Sequence, residues 1–231
     1  MEITILQYVE GAKAATGVAV IIDVFRAFST VCYVYGQGAR EVFAVGDLQE
    51  AYAYKERHPE SILMGERGGV IQTGFDFGNS PLHASRADFS GKTVVLTTSA
   101  GTQGIANATR ADEILTGSFV NAGAIARYLR TRNPERVSLV CMGWEGKMPA
   151  DEDTLCAEFL KNSLLGEPTD FGTIVHHLRH KSQTGRFLDV ADKASAPPED
   201  FDLCLSLDRF DFVLKAETGA APLFPLRKEA R

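Results

Sequence analysis

Positive charge is in short supply. The chain has 231 residues, with 24 Lys and Arg against 30 Asp and Glu, a formal charge of −6. A binder of extended polyanions carries the opposite balance, so nucleic acid is not an expected partner. A small anion held by a few placed donors stays open. Cysteine is scarce too: Cys32, Cys141, Cys156 and Cys204, none in a CxxC pair. Buried thiols in a reducing compartment are the expectation, not disulfides. Long apolar runs are missing. The longest candidate, Gly17 to Ile22, is strand length, well short of the roughly 18–20 residues of a membrane span. Met1-Glu2-Ile3-Thr4 has neither the basic nor the apolar region of a signal peptide. These absences predict a cytoplasmic protein without a membrane partner.

Glycine, by contrast, is plentiful at 21 residues. It gathers where backbone turns tightly or approaches a ligand. Apolar residues make up 45% and charged residues 23%, ordinary for a globular chain. Strand and helix patterns alternate. Val18-Ala19-Val20-Ile21-Ile22 is a β-branched run, the mark of a strand covered on both faces. Further strands are predicted at 41–45, 61–64, 92–97, 113–116 and 137–142. Helices are predicted near 27–35, at 48–57, 104–108, 122–130 and 154–165, and around Phe171, Ile174, Val175 and Leu178 at helical spacing. Asp47 with Glu50 reads as a capping box, and Gly166 as a helix stop. The alternation predicts an α/β fold of three layers, α/β/α, with a largely parallel, mixed sheet. One domain spans 1–231, with a smaller subregion from about 167. Ser195-Ala196-Pro197-Pro198 is linker-like, and the short strands after it would add antiparallel edges.

Four polar segments stand out. Asp23-Val24-Phe25-Arg26-Ala27-Phe28-Ser29-Thr30 puts a carboxylate at a strand's end and donors at a helix start, where open α/β sheets bind ligands. Gly65-Glu66-Arg67-Gly68-Gly69 and Gly74-Phe75-Asp76-Phe77-Gly78-Asn79-Ser80-Pro81 interleave glycine with charge. Thr97-Thr98-Ser99-Ala100-Gly101-Thr102 offers hydroxyl and N–H groups directly after a strand. Asp151-Glu152-Asp153-Thr154 opens a helix. Its acids suit either the helix dipole or a hard cation. Several templates fail. A second Asp two positions after Asp23 is replaced by Phe25, and Cys204 and Arg209 are one residue too close for Cys-x₅-Arg. No GxxxxGK[ST], GxGxxG or HExxH occurs, although His176 and His180 share a helix face. No His falls in the first, third or fourth segment, so acid–base work falls to carboxylates, metal-bound water or Cys.

VIIDVFRAFST, GERGG, GFDFGNSP, TTSAGT, EDTLCA and LCLSLDRFDFV, in this order, resemble the 2-phosphosulfolactate phosphatases. The likeness runs from near residue 18 to near residue 213. It implies a Mg²⁺-dependent phosphatase that releases sulfolactate and phosphate, a step toward coenzyme M, on an α/β/α fold. One departure is Ala100, where the family usually has Asn. It bears on substrate identity more than on catalysis.

The motif residues fit that chemistry with a catalytic set of Asp23, Arg26 and Asp153, the two acids lying just beyond or one loop after a predicted buried strand. Arg26 and Arg67 take anionic groups, with Ser29, Thr30 and Ser80 as neutral donors. Thr97, Thr98, Ser99, Gly101 and Thr102 form a second anion cradle. Asp23, Glu66, Asp76, Glu152 and Asp153 are the Mg²⁺ candidates, Asp23 and Asp153 first. Attack by water and attack by an Asp carboxylate both stay open. So do a phosphatase for another small 2-phospho-hydroxy acid and a non-catalytic anion binder. A homodimer is the base-rate expectation.

Overall fold

A computed structural model describes residues 1–183, 196–219 and 221–230. Ser195 of the linker-like segment lies outside the described residues. The chain runs β1 (Glu2–Gln7), α1 (Tyr8–Ala14), β2 (Val18–Ile22), α2 (Ala27–Gly36), β3 (Glu41–Val45), α3 (Leu48–Arg57) and β4 (Ile62–Gly65). It continues α4 (Pro81–Arg86), β5 (Thr93–Thr97), α5 (Gly101–Asn107), β6 (Glu113–Gly117), α6 (Ala122–Arg132) and β7 (Arg136–Cys141). It closes with α7 (Asp151–Leu165), α8 (Phe171–His180), α9 (Glu199–Cys204), β8 (Phe212–Ala216) and β9 (Leu223–Ala230). The strands form one sheet, ordered β1-β7-β2-β6-β8-β9-β3-β5-β4.

Alternation along β2 shows the layers. Ala19 and Ile21 belong to one core, with residues of α1, α2, α4 and α5; Val18, Val20 and Ile22 belong to another, with residues of α6, α7, α8 and α9. At the far end Val45, Leu63 and Val95 pack against Ala51 of α3. Helices therefore cover both faces, the α/β/α arrangement that the strand–helix alternation predicts. Asp47 caps α3 by accepting the Gln49 N–H at 2.9 Å, the first half of the expected capping box, and Gly166 takes the left-handed conformation after α7.

The last two strands correct an expectation. They are not edges. β8 and β9 sit mid-sheet, antiparallel to each other and to β6 and β3. Phe212, Val213 and Leu214 are buried on both faces, which an edge strand cannot provide for a continuous apolar run. The pair joins two parallel blocks, β1-β7-β2-β6 and β3-β5-β4.

Three successive antiparallel pairings make the two blocks run in opposite senses. On a flat sheet their carboxyl ends would lie on opposite edges. Twist changes this. At about 20–25° per strand, the five steps from β2 to β5 turn the second block by about 100–125°. α5 then leaves β5 and packs on β2, so closely that a Cβ on Gly104 would stand 2.4 Å from the Ile21 side chain. Among the described residues no helix is long and apolar enough to cross a membrane. All four cysteines are buried and free.

Candidate functional site

Asp23 follows β2 directly. Its N–H donates to the Gly117 carbonyl at 3.2 Å, extending the ladder with β6 by one bond. Its Oδ1 accepts the Ala27 N–H at 3.0 Å, tying the carboxylate to the first residue of α2. Only Gly fits at position 101: a Cβ there would lie 2.8 Å from Asp23 Oδ2. The start of α5 thus touches the end of β2, although β5 and β2 are far apart in strand order.

Asp153 lies in the first turn of α7. Its Oδ1 accepts the Val24 N–H and its Oδ2 the Gly143 N–H, each at 2.8 Å. It joins the loop after β2 to the loop after β7. Glu66, just beyond β4, accepts the Ser99 N–H at 2.8 Å on one oxygen. The other oxygen accepts the Gly69 N–H at 2.6 Å and the Ser99 hydroxyl at 3.1 Å. Glu152 is buried beside them, and all four acids are at least nine-tenths buried.

Their electrostatics mark them as one group. Burial pushes the Asp23 carboxyl up to about 7; repulsion from Glu66 and Glu152 adds to this, against N–H bonds from Ala27 and Gly101. Burial, then Asp23 and Glu152, push Asp153 well above the carboxylate range, opposed by Val24 and Gly143. Among the described residues no three His, Cys, Asp or Glu side chains already stand at the spacing of a complete metal cage. Mg²⁺ does not need one. It takes one or two carboxylates plus waters and substrate oxygens. Buried, mutually repelling, oxygen-only donors suit that mode of binding.

Arg67 is half-buried. It donates to the Glu66 carbonyl at 2.8 Å, the Gly46 carbonyl at 3.2 Å and the Thr97 hydroxyl at 2.6 Å. Among the described residues no carboxylate stands within 4.0 Å of its guanidinium. Partial burial lowers its pKa, countered by Glu66 and Asp47. Arg26 differs. It is buried, and its Nη1 meets Asp200 Oδ2 at 2.7 Å.

The remaining sequence candidates divide. Asp76 stands apart from the four acids: its Oδ2 accepts the Leu63 N–H at 2.8 Å and faces Lys55 at 3.2 Å, with the side chain 40% exposed. Ser29 donates to the Val24 carbonyl and lies 2.5 Å from the Ser118 hydroxyl. Among the described residues the buried Thr30 hydroxyl has no hydrogen-bond partner. Thr98 and Thr102 bond each other: the Thr98 N–H donates to the Thr102 hydroxyl at 2.9 Å, and the Thr102 N–H to the Thr98 hydroxyl at 3.2 Å. The Gly68 N–H donates to the Ser99 hydroxyl at 2.9 Å. Ser80 caps α4 and donates to Asp200 Oδ1 at 2.8 Å. No sequence motif marks Asp200 or Ser118. Glu199-Asp200 behind two prolines looks like ordinary helix-start acid, and nothing local marks its full burial.

Buried carboxylates, a half-buried arginine and hydroxyl-bearing loops at strand carboxyl ends define an α/β enzyme for a small anionic substrate. The comparisons are specific. Residues 4–219 match the family model described as 2-phosphosulpholactate phosphatase. A Gloeobacter violaceus protein named "Probable 2-phosphosulfolactate phosphatase" is 40% identical over 179 residues, 77% of this chain and 75% of its own length. A Caldanaerobacter subterraneus protein of the same name is 32% identical over 214 residues, 87% and 88% of the two chains. One from Thermotoga maritima is 39% identical over 144 residues, 62% and 61%. The chain belongs to the 2-phosphosulpholactate phosphatase family and is a hydrolase of that type.

Proposed function

We propose that the chain hydrolyses the phosphate monoester of 2-phosphosulfolactate, giving sulfolactate and phosphate, at the cluster of Asp23, Asp153, Glu152 and Glu66. The observation that carries this reading is the gathering of four buried, mutually repelling acids, from the ends of β2 and β4 and the first turn of α7, next to Arg67. Such a cluster is unfavourable without a cation. Mg²⁺ fits its donors, with Asp23 and Asp153 as holding residues and Glu152 and Glu66 beside them. When bound, Mg²⁺ supplies positive charge for the phosphoryl oxygens and acidity for an attacking water. Asp76, engaged with Leu63 and Lys55, is left out of the metal set.

The protein's own groups do the rest. Val24 and Gly143 N–H groups fix the Asp153 carboxylate, and Ala27 N–H fixes Asp23, so neither reorganises when substrate arrives. Arg67 takes an anionic group of the substrate, since its present partners are neutral oxygens that an anion outcompetes. Arg26, three residues after Asp23 in the same loop and held by Asp200, is the second guanidinium assigned to the anionic substrate. Burial and its acidic neighbours raise the Asp23 carboxyl to about 7 in the cation-free protein, and a bound cation would hold it as the carboxylate, so its role is to bind the metal.

A second reading has one observation behind it. Ala100, at the start of α5, brings no side-chain donor or acceptor and makes no cap bond. That favours a phosphatase for another small 2-phospho-hydroxy acid. Steady-state phosphate release from 2-phosphosulfolactate, phospholactate and phosphoglycolate, with Mg²⁺ or with EDTA, decides. Mg²⁺-dependent release with the highest kcat/KM on 2-phosphosulfolactate is expected. A higher value on either other substrate selects the second reading, and no release from any of the three overturns both.

A further inference from the structure

Helix α9 lies far from the sheet's carboxyl ends in sequence, yet it backs the loop that carries Asp23. Three of its residues meet that stretch. Phe201 packs on Phe25, with ring centroids 5.5 Å apart. The Cys204 thiol, fully buried, lies beside the Ser29 hydroxyl. Asp200 holds Arg26.

The Asp200 contact is the charged one, and it is dry. The side chains of Arg26 and Asp200 are 5% and 0% exposed. Asp200 uses both oxygens. Its Oδ2 takes Arg26 Nη1 at 2.7 Å; its Oδ1 takes the Ser80 hydroxyl at 2.8 Å and the Leu82 N–H at 2.9 Å. One carboxylate therefore fixes two of the loops that bear site residues, the one after β2 and the one before α4. A buried ion pair is weak evidence of net stabilisation. It is strong evidence of fixed geometry, because a charge-assisted bond in a water-free setting allows little freedom.

We propose that Asp200 is a positioning residue for the phosphatase reaction: it orients the Arg26 guanidinium and locks the Gly74–Pro81 loop against the Asp23–Thr30 loop. This rests on the reading of Arg26 as a group acting on the anionic substrate. Misplacement of such a group by about 1 Å costs on the order of 100-fold in rate. The role of Asp200 is exerted through Arg26, so the two are not independent.

That dependence gives the test. Asp200→Asn keeps the shape and the Oδ1 acceptor but removes the charge facing Arg26. The Asn variant should lose at least 10-fold in kcat/KM, most of it in kcat, while its apparent affinity for Mg²⁺ in the assay stays within 3-fold. In an Arg26→Ala background the same substitution should change kcat/KM by less than 3-fold. Full kcat/KM in folded Asp200→Asn overturns the proposal, and so does a loss that multiplies with Arg26→Ala. If Arg26→Ala is itself fully active, the assignment of Arg26 fails and takes this inference with it. If the Asn variant does not fold, Asp200→Glu keeps the charge and moves the anchor by one methylene. A 10-fold loss supports the role, and unchanged kcat/KM overturns it.

Discussion

Neutralising Asp23 should remove a specific pH dependence from the stability of the cation-free protein. The perturbation is Asp23→Asn in EDTA. The Asp23 carboxyl rises from 3.8 to about 7, first through burial and then through Glu66 and Glu152. The folded state thus keeps a proton that the unfolded chain releases near its ordinary value. Folding is favoured by this proton below pH 3.8, and the advantage is lost as pH climbs through 7. The interval is worth roughly 4 kcal/mol in full, and roughly 3 kcal/mol of it falls between pH 5 and 8. Asn does not titrate, so its curve lacks this decline. It still accepts the Ala27 N–H, but its amide faces the Gly101 N–H, a pH-independent cost of about 1–3 kcal/mol. Asp153 also loses a repelling neighbour, which adds to the effect in the same direction. Urea unfolding of both proteins at pH 5 and pH 8 gives the double difference, from which other titrating groups largely cancel. The wild type should weaken relative to Asp23→Asn by about 3 kcal/mol on going to pH 8, and added Mg²⁺ should restore it more than the variant. Parallel stabilities within 1 kcal/mol at both pH values would refute the shared buried charge on which the site is argued.

Other expectations follow from the same geometry. Arg67→Ala removes a charge-assisted contact to the substrate and should raise KM by a factor corresponding to roughly 1.5–3 kcal/mol, with Mg²⁺ dependence intact; steady-state kinetics check it, and an unchanged KM removes Arg67 from the site. Asp76→Ala should keep Mg²⁺-dependent kcat within a few-fold and cost about 1–2 kcal/mol in denaturant, since it frees the Leu63 N–H without touching the four acids. Gly65→Ala should lower the melting temperature sharply, because φ is +139° there and a Cβ would stand 1.9 Å from the Thr97 carbonyl oxygen. Leu214→Ala should cost about 2–5 kcal/mol in urea unfolding, the range for a truncated core leucine; about 1 kcal/mol or less would contradict the central place of β8.

How much of this was readable in advance depends on the range of the force responsible. β2 announced itself because a strand covered on both faces must be apolar at every position, and all five of its residues are buried. β8 carried the same mark in Phe212-Val213-Leu214, yet its short length and late position suggested an edge. Strand order is decided by pairing between residues more than 90 apart, such as Leu214 and Thr116, and no local pattern reports that. β1 and α1 escaped notice for another reason. Ile3 and Ile5 are only partly buried, and β1 pairs on one side alone, with β7. An edge strand of mixed polarity leaves a faint periodicity.

The site shows the same division, with a twist in its charge. Asp23 and Glu66 stand out singly, since a carboxylate at a strand end or in a loop crowded with glycine is locally unusual, whereas Glu152 and Asp153 read equally well as helix-start acids. The grouping of the four rests on the family resemblance and not on local pattern, because it needs the turn of the sheet that brings the end of β5 round to the end of β2. Asp200 was hidden altogether: only its burial against Arg26 separates it from any helix-start acid. The net charge of −6 first argued only against polyanionic partners. The fold reads it more narrowly. Of the acidic residues, Asp23, Glu66, Glu152 and Asp153 are withdrawn from solvent into one group, and Asp200 is spent on one arginine. On the proposed reading, the anionic substrate would meet an interior whose negative charge is balanced by a cation, with Arg67 beside it. A count of charges along the chain says how many there are; burial decides which of them the substrate meets.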